Sequence, residues 1–466
     1  MGIAEIFDRQ PAIMFVLTMV ILFIVIAILF IISKNYVVEK QKHDISPDFQ
    51  KLQRSYLIVY CMACFADWLQ GPYVYSLYKH YGYNEGEIAV LFIVGTISNS
   101  LFGTFTGALA DNYGRKILCI LYGLLYSGCC ITKLYENYRL LLLGRLLGGI
   151  STSILYSAFD SWYINEHVNY YKLPNEWLNN TFAKATFLNA MLAIFAGILS
   201  YFLVNILEFG PVSPFIMAIP FLMATSIYSI MSLNEHYIYN AISPSSSVKN
   251  AIVLWLTNKN IFTLSIVQSF YEGVMYLFIF IWTPALEPIK PPLGLIFSSF
   301  MLALMIGSKI YSIMSANNVL DSTKLLEIST FLASFSFLIC SVVSTVTFTN
   351  YSPYTIQICY LFFIFYEISI GIYLPSMTYL KSHVIPEKVR VTISNVIKIP
   401  SNMFICLALL WIHLKEKSHK TDGDIIFTIY NVCLIATTFT FMCSKIFSKF
   451  HHKTYKDGIK HSDVEV

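Results

Sequence analysis

The chain has 466 residues, of which 56% are hydrophobic and only 12% are charged. Soluble domains carry about a quarter charged residues, so this composition excludes an ordinary soluble domain and indicates a membrane protein. The formal net charge is only +4, which argues against a nucleic-acid-binding surface.

The first apolar run, residues 11–32, contains no charged residue. As a helix it would be about 33 Å long, which is enough to cross the hydrocarbon core of a bilayer. It is too long for the core of a signal peptide, and no small-residue cleavage site follows it. We interpret it as a retained transmembrane helix.

Twelve further apolar runs follow, each much longer than a barrel strand. They lie near residues 55–78, 88–110, 117–135, 139–160, 182–207, 214–232, 261–284, 294–316, 324–349, 354–379, 392–413 and 424–447. Because every backbone group must be paired inside lipid, runs of this length predict helices. The fold class is therefore predicted to be an all-α membrane protein.

A polar segment separates the twelve runs into two groups of six, which indicates a parallel repeat of two six-helix bundles. The first run is then one extra N-terminal helix. The predicted segments are 1–54 (extra helix and connector), 55–232 (first bundle), 233–260 (linker), 261–447 (second bundle) and 448–466 (tail).

The distribution of lysine and arginine predicts the orientation of the chain. If the loop after the first helix is inside, the inner segments hold nineteen of these residues and the outer segments hold eight, Lys133 among them. By the positive-inside rule, the N-terminus is outside and the linker and tail are cytoplasmic, in the plasma membrane or an endomembrane. Asn350 heads a glycosylation sequon in a predicted outer loop.

Four ionisable residues lie well inside the predicted spans: Asp67, Arg145, Glu272 and Glu367. Such residues are costly in lipid and usually mark function. Counted from residue 55, Asp67 and Glu272 fall on the first helix of each bundle, and Arg145 and Glu367 fall on the fourth. We therefore expect all four to face a shared, water-filled hollow between the bundles.

One base and three acids suggest a chemistry for this hollow. The guanidinium group of Arg145 offers a fixed fork of donors for an oxyanion. A carboxyl group buried away from water holds its proton more readily, and can exchange it near neutral pH. Anion transport coupled to protons is one interpretation. The other is that Arg145 pairs permanently with an acid and only holds helices together.

Aromatic and amide side chains crowd Asp67, namely Trp68, Gln70, Tyr73, Tyr75 and Tyr78. Of these, Trp68, Gln70 and Tyr73 are the candidate cavity residues. Gly71 and Pro72 interrupt the helix one turn later. Broken helices often mark transporter binding sites. An ordinary proline kink explains the same residues.

The stretch "GALADNYGRK" places charges between two apolar runs. Asp111 ends one predicted helix, and Arg115 and Lys116 begin the next. Each charge lies at the helix end where the helix dipole disfavours it, which costs about 0.3–1 kcal/mol per charge. We therefore expect Asp111 to meet a partner such as Arg115 or another helix N-terminus. Gly107 allows close backbone approach and Gly114 a tight turn, so the stretch predicts a charged latch at the cytoplasmic rim.

These residues resemble a known family. "GALADNYGRK" matches the G-x-x-x-D-x-x-G-R-K signature of the major facilitator superfamily, and "GRLLGG" resembles its arginine motif on the fourth core helix. The second half has no good copy of the signature. "ADWLQGPYVYSLY", "GRLLGGISTSILYSAFDSWYINEH" and "QSFYEGVMYLFIFIWTPALEP" resemble the molybdate-anion transporter branch, from about residue 55 to 400.

The resemblance implies uptake of molybdate, a tetrahedral dianion, by alternating access. It implies a gating role for Gly107, Asp111, Gly114, Arg115 and Lys116, and a substrate or proton role for Arg145. It also makes Lys184 a candidate anion ligand, although a long side chain near a helix end can instead reach the headgroups.

Two other classes stay open: a transporter of another anion, a sugar or an amino acid, and a non-transporting receptor or scaffold. No phosphate loop, nucleophile elbow or metal-ligand set is present, so neither an enzyme, a cofactor nor a metal is expected. The expected partners are molybdate or a similar small anion, protons and the lipid bilayer, with the protein as a monomer.

Overall fold

The structure is a computed structural model that describes residues 11–34, 46–236, 253–316, 319–347, 353–385, 390–416 and 422–462. The elements in these ranges are helices. They are α1 (Pro11–Lys34), α2 (Pro47–Gln70), α3 (Val74–His80), α4 (Glu85–Tyr113), α5 (Arg115–Thr132), α6 (Tyr138–Leu155), α7 (Ala158–Ile164), α8 (Asn175–Tyr201), α9 (Ser213–Ser232), α10 (Lys259–Leu286), α11 (Leu293–Ala316), α12 (Ser322–Thr347), α13 (Pro353–Val384), α14 (Arg390–Glu416) and α15 (Asp422–Ser462).

Local sequence fixes where several of these helices begin. The side chain of Ser46 accepts a hydrogen bond from the backbone N–H of Phe49, and Pro47 occupies the first position of α2. Asn137 and Asn258 cap α6 and α10 in the same way. Each cap satisfies backbone N–H groups that have no partner within the helix.

Twelve helices of the described residues are long and apolar enough to cross a membrane. They correspond to the predicted spans with one exception, α2. This helix is long enough, with 24 residues, but it is more polar than the others. Its charged residues include Lys51, Arg54 and Asp67, and Tyr56, Ala63 and Leu69 are fully or almost fully buried. Packing inside the protein therefore explains why α2 needs less hydropathy than a lipid-facing helix.

The predicted break in this helix is present. α2 ends at Gln70, a 3₁₀ turn covers Gly71–Tyr73, and the chain resumes as α3. Pro72 lacks the backbone N–H that a continuous helix would use, so the α-helical ladder is interrupted there.

The six-plus-six arrangement is confirmed by how the helices pack. In the first half, α2 packs on α8 and α9, α5 on α6 and α9, and α4 on α6. In the second half, α10 packs on α14 and α15, α12 on α13 and α15, and α11 on α13. The second set is the first set with each helix replaced by its counterpart six spans later, as a parallel repeat requires.

The halves meet along two seams, α4 against α14 and α8 against α11. At the α8–α11 seam, Gly197 and Gly294 allow very close backbone approach. A Cβ added at Gly197 would lie 2.7 Å from the carbonyl oxygen of Gly294 and 2.3 Å from Oγ of Ser298. Small residues at such contacts maximise van der Waals packing between membrane helices.

The extra helix α1 packs mainly against α11 of the second half. The ring of Phe15 is fully buried and meets Tyr360 edge-on, with centroids 4.8 Å apart. Phe30 lies near Phe187 of α8 and beneath the ammonium group of Lys309, at 4.4 Å. α1 therefore reaches both halves at one seam.

Some predictions lie outside the described residues. They include most of the linker, residues 237–252, and the sequon at Asn350. The predicted segment boundaries stay predictions.

Candidate functional site

The bundle has two ends. We call the end that holds Gly114, Arg115 and Lys116 the motif end, and the opposite end, where α5 finishes, the far end. α2 and α10 run from the motif end to the far end, whereas α4, α6 and α13 run the other way. Asp67 and Arg145 therefore both lie in the far part of the first half.

Asp67 is held by α5. The hydroxyl group of Tyr126 donates a short hydrogen bond to a carboxylate oxygen of Asp67. Asp67 also interacts electrostatically with Lys133, the residue that follows α5. The acid predicted from sequence thus faces a neighbouring helix of its own half.

The three candidate cavity residues beside Asp67, namely Trp68, Gln70 and Tyr73, are hydrogen-bonded. Trp68 Nε1 donates to Asn189 Oδ1 at 2.7 Å, and Tyr73 Oη donates to Asn205 Oδ1 at 2.9 Å. Both bonds tie the broken helix to the segment that starts with α8. Gln70 is buried, and its Oε1 accepts a bond of 3.0 Å from Lys133 Nζ.

Tyr276 links the two halves. It lies on α10 one turn after Glu272 and interacts electrostatically with both Glu272 and Asp67. Tyr156, at the end of α6, interacts with Asp67 and with Tyr276. Both residues are exposed, at 42% and 58%, although each interacts with at least one buried acid. An accessible ring among buried charges indicates a hollow between the halves.

At the far end, aromatic rings close this hollow. Phe280, one turn beyond Tyr276, meets Tyr75 and Phe92 edge-on, with centroids 5.6 and 5.4 Å away. The ring of Trp68 lies 5.8 Å from that of Phe297 on α11. Bulky apolar rings from both halves thus cover the charges from this side.

Arg145 pairs with no carboxylate of the described residues. Its Nε donates to the carbonyl oxygen of Leu91 at 3.1 Å, and the guanidinium group stacks on Phe92 at 4.5 Å. Within the part of the chain that the structure describes, the helix-holding ion pair considered from sequence is not formed. Arg145 keeps donors for another group.

Glu272 and Glu367 lie in the second half and do not meet Arg145. Glu272 accepts a bond of 2.9 Å from Gln268 Nε2, and faces Lys381 and Lys398 electrostatically. Glu367 is 5% exposed, and its described electrostatic neighbours are Tyr271 and Tyr366 rather than a cation. Asp67 and Glu272 thus both interact electrostatically with Tyr276, whereas Glu367 lies among tyrosines of the second half.

Lys184 lies towards the motif end. Its side chain is exposed, and Nζ donates to Gln53 Oε1 at 3.1 Å, joining α8 to α2. It does not contact the cluster around Asp67.

The motif itself forms a tight turn. Gly114 has φ 98° and ψ 144°, a conformation that side chains strongly disfavour, which explains the glycine. Gly107 and Asp111 lie on the last two turns of α4, and the side chain of Asp111 is outside the described residues.

An acid not singled out from sequence caps the next helix. The Glu235 carboxylate accepts hydrogen bonds from the backbone N–H groups of Arg115 and Lys116, the latter at 3.2 Å. This negative charge at the N-terminus of α5 offsets the unfavourable placement of the two bases. Lys116 Nζ also donates to the carbonyl oxygen of Ile230 at 3.0 Å.

His236, the residue after Glu235, is also held by side-chain contacts. His236 Nδ1 lies 2.8 Å from a carboxylate oxygen of Glu166, and its ring stacks on Tyr170. Trp162 Nε1 donates to the carbonyl oxygen of Asn234 at 2.7 Å. The start of the linker is therefore fixed to α5 and to the segment after α6.

Comparison with known proteins identifies the family. A family model described as sugar transporters with 12 transmembrane segments matches residues 14–364. The molybdate-anion transporter of Takifugu rubripes is 35% identical over 393 residues, covering 79% of this chain and 81% of the relative. That of Danio rerio is 36% identical, covering 79% and 80%, and that of Xenopus laevis is 33% identical, covering 85% and 86%.

Solved structures show the same fold at low identity. A peptide-transporter-family protein in complex with 5-aminolevulinic acid has a TM-score of 0.69 at 10% identity, covering 89% of this chain and 99% of that one. A point mutant of the nucleoside transporter NupG has a TM-score of 0.65 at 12% identity, covering 85% and 99%. With the two-half bundle and the relatives above, the chain belongs to the molybdate-anion transporter family of the major facilitator superfamily.

Proposed function

We propose that this protein takes up molybdate, or a similar tetrahedral oxyanion, by alternating access of its two halves. The observation that carries the proposal is the set of relatives named molybdate-anion transporter, which are 33–36% identical over about four fifths of both chains. Similarity over about four fifths of the chain extends into both halves.

The arrangement of charges supports an anionic cargo. Arg145, which is half-buried, has no carboxylate partner among the described residues, and Lys133 is a buried cation in the same half. Guanidinium and ammonium groups that are not neutralised in a dry site attract an oxyanion strongly. Trp68, Gln70 and Tyr73 hold the broken helix beside them, and Glu272 faces the hollow from the other half.

Protons are part of the same proposal. Asp67 lies within electrostatic reach of Lys133, so its negative charge competes with a dianion for that cation. A proton on Asp67 would remove this competition, and would travel with the anion. Glu367 and Lys184 are retained as further candidates for handling protons and anions along the path.

The motif end supplies the moving rim in this proposal. Gly107, Asp111, Gly114, Arg115 and Lys116 form the latch, and its cytoplasmic location follows the lysine and arginine distribution. The chain would act as a monomer, with the segment boundaries 1–54, 55–232, 233–260, 261–447 and 448–466.

Uptake of labelled molybdate tests the function directly. Cells or vesicles that contain the protein should accumulate more label than those with empty vector, with excess sulfate present as competitor. Arg145→Gln should abolish uptake because it removes the unpaired cation. The matched control is Arg139→Gln, an exposed arginine on the same helix, which should retain it. If the wild-type protein is present in the membrane but uptake stays at the vector level, the molybdate proposal is wrong.

Proton coupling has a separate test. Collapsing an imposed pH gradient should lower the uptake rate of the wild-type protein. It should have a smaller effect on Asp67→Asn, because an amide cannot exchange the proton. Equal sensitivity of the two proteins would refute the role of Asp67 and leave molybdate uptake itself intact.

A further inference from the structure

Lys133 is a lysine buried at the far end of the first half. It follows the last residue of α5 and is 3% exposed. Its ammonium group donates one hydrogen bond, to Gln70 Oε1 at 3.0 Å, and lies 4.3 Å from the centre of the Phe215 ring. Lysine is almost never buried unless it is paired, because removing an ammonium ion from water is expensive.

The described partners do not neutralise this charge. Asp67 attracts Lys133, but no carboxylate of the described residues lies within ion-pair distance of it, and Asp67 is already bonded to Tyr126. An ammonium group has three donors, and Gln70 uses one. Nζ forms no other hydrogen bond with the described residues, so two of its donors stay available.

One tyrosine lies within electrostatic range of both Arg145 and Lys133. Tyr78 is fully buried, and its Oη forms no hydrogen bond of ordinary geometry with any described residue. Its contact with the Arg145 guanidinium group is close enough to have weak hydrogen-bond character, although it falls outside ordinary hydrogen-bond geometry. A buried hydroxyl without a well-formed hydrogen bond is unfavourable by about 1–3 kcal/mol, and Tyr78 differs from the other buried tyrosines in this condition because it faces two cations.

A glycine on α4 makes room for the side chain of Arg145. A Cβ added at Gly95 of α4 would lie only 3.1 Å from one terminal nitrogen of the guanidinium group. Glycine therefore allows the fork of Arg145 to lie against α4, while Phe92 covers its face. Phe280 of the second half covers Phe92 in turn, which keeps this region away from water at the far end.

We propose that Lys133, Tyr78 and Arg145 form the binding site for the transported oxyanion. The proposal rests on the proposed uptake function and assigns its substrate to named side chains. Two cations match the two charges of a tetrahedral dianion. The Tyr78 hydroxyl group donates to one of its oxygens, and Lys133 and Arg145 donate to others.

Binding to purified protein tests the assignment. The probe is molybdate, titrated calorimetrically into the full-length protein in detergent, with uptake KM measured in parallel. Tyr78→Phe removes one oxygen atom that makes no well-formed hydrogen bond with the described residues, so folding should be little affected and the molybdate Kd should rise about fivefold. Tyr366→Phe is the matched control, because its hydroxyl is also buried and unpartnered but faces no cation. It should leave Kd unchanged.

Lys133 needs a design that separates ligand binding from pairing with Asp67. Lys133→Gln should raise both Kd and KM at least tenfold, because a charge-assisted hydrogen bond is lost. Lys133→Arg should retain part of the affinity. If Lys133 serves only as the counter-ion of Asp67, the double variant Lys133→Gln/Asp67→Asn should recover wild-type binding. The proposed site predicts that it stays weak.

The outcomes distinguish failure of the assigned binding site from failure of the proposed uptake function. Wild-type protein that binds no molybdate overturns both. Wild-type binding with unchanged Kd in Tyr78→Phe and Lys133→Gln, or with recovery in the double variant, overturns the site alone. Loss of affinity in these variants, with Tyr366→Phe and Arg139→Gln unchanged, supports it.

Discussion

The contact between Gly197 and Gly294 gives a quantitative test of how the halves close at the far end. In Gly197→Ala, the new methyl group would lie 2.3 Å from Ser298 Oγ and 2.7 Å from the Gly294 carbonyl oxygen. Rotation of the serine side chain relieves only the first clash, because the second involves backbone. α8 and α11 must therefore move apart.

Such overpacking is unfavourable by about 1–3 kcal/mol. Unfolding entropy of about 2.1 cal/mol/K per residue amounts to roughly 1 kcal/mol/K for this chain, so the melting temperature should fall by about 1–3 K. The matched control is Gly128→Ala in α5, where the nearest atom to a new Cβ is Leu147 Cδ1 at 3.6 Å. Alanine favours the helix over glycine by up to about 1 kcal/mol, so this variant should melt at or above wild type.

Replicate thermal melts of both variants, followed by size-exclusion chromatography, are the assay. Ser298→Ala added to Gly197→Ala should restore only part of the loss, since the carbonyl contact remains. If Gly197→Ala melts as high as Gly128→Ala, the halves do not depend on this contact. In the transport cycle, the far-end-closed conformation should be disfavoured, which an uptake assay on the same variant checks.

Three further predictions concern the motif end and Asp67. Glu235→Gln should lower stability by about 0.5–2 kcal/mol in a thermal melt, because the cap of α5 loses its charge, whereas the exposed Glu136→Gln should not. Gly114→Ala should be unfavourable by about 1–3 kcal/mol in the same melt, since alanine strongly disfavours a φ of 98°. Tyr126→Phe should alter molybdate KM more than stability, because Asp67 loses its donor; an unchanged KM with a lower melting temperature would assign that bond to folding.

Most of the fold could be predicted from apolar run length alone. Because lipid offers no hydrogen-bond partners, a spanning backbone must pair its N–H and C=O groups internally. A run of twenty apolar residues therefore has few alternatives to a helix. The break at Gly71 and Pro72 and the need for glycine at Gly114 were also predictable, because both follow from local backbone chemistry.

The candidate site was harder because it depends on contacts between distant segments. Lys133 was assigned to an outer loop by its place at a helix end, whereas packing of α2 and α9 around it buries the side chain. Glu235 lies 120 residues from the backbone group that it caps, at the edge of a polar segment that resembled a plain linker. A helix that begins with two bases was the available signal for such a cap.

The role of Tyr276 could not be predicted for a different reason. Tyrosine is common in this chain, with 32 copies, and nothing local separates a ring in a hollow from one in the core. Its exposure and its two acidic neighbours from opposite halves appear only once the halves are assembled.

Helix α1 makes the two seams of the molecule mechanically different. α1 lies along α11 and contacts Phe187 of α8. Relative motion of the halves at that seam must therefore move or bend α1 as well. Among the described elements, no additional helix packs across the α4–α14 seam. We therefore expect the halves to pivot about the α1 side and to separate more widely on the opposite side, where bilayer lipid has the freer approach.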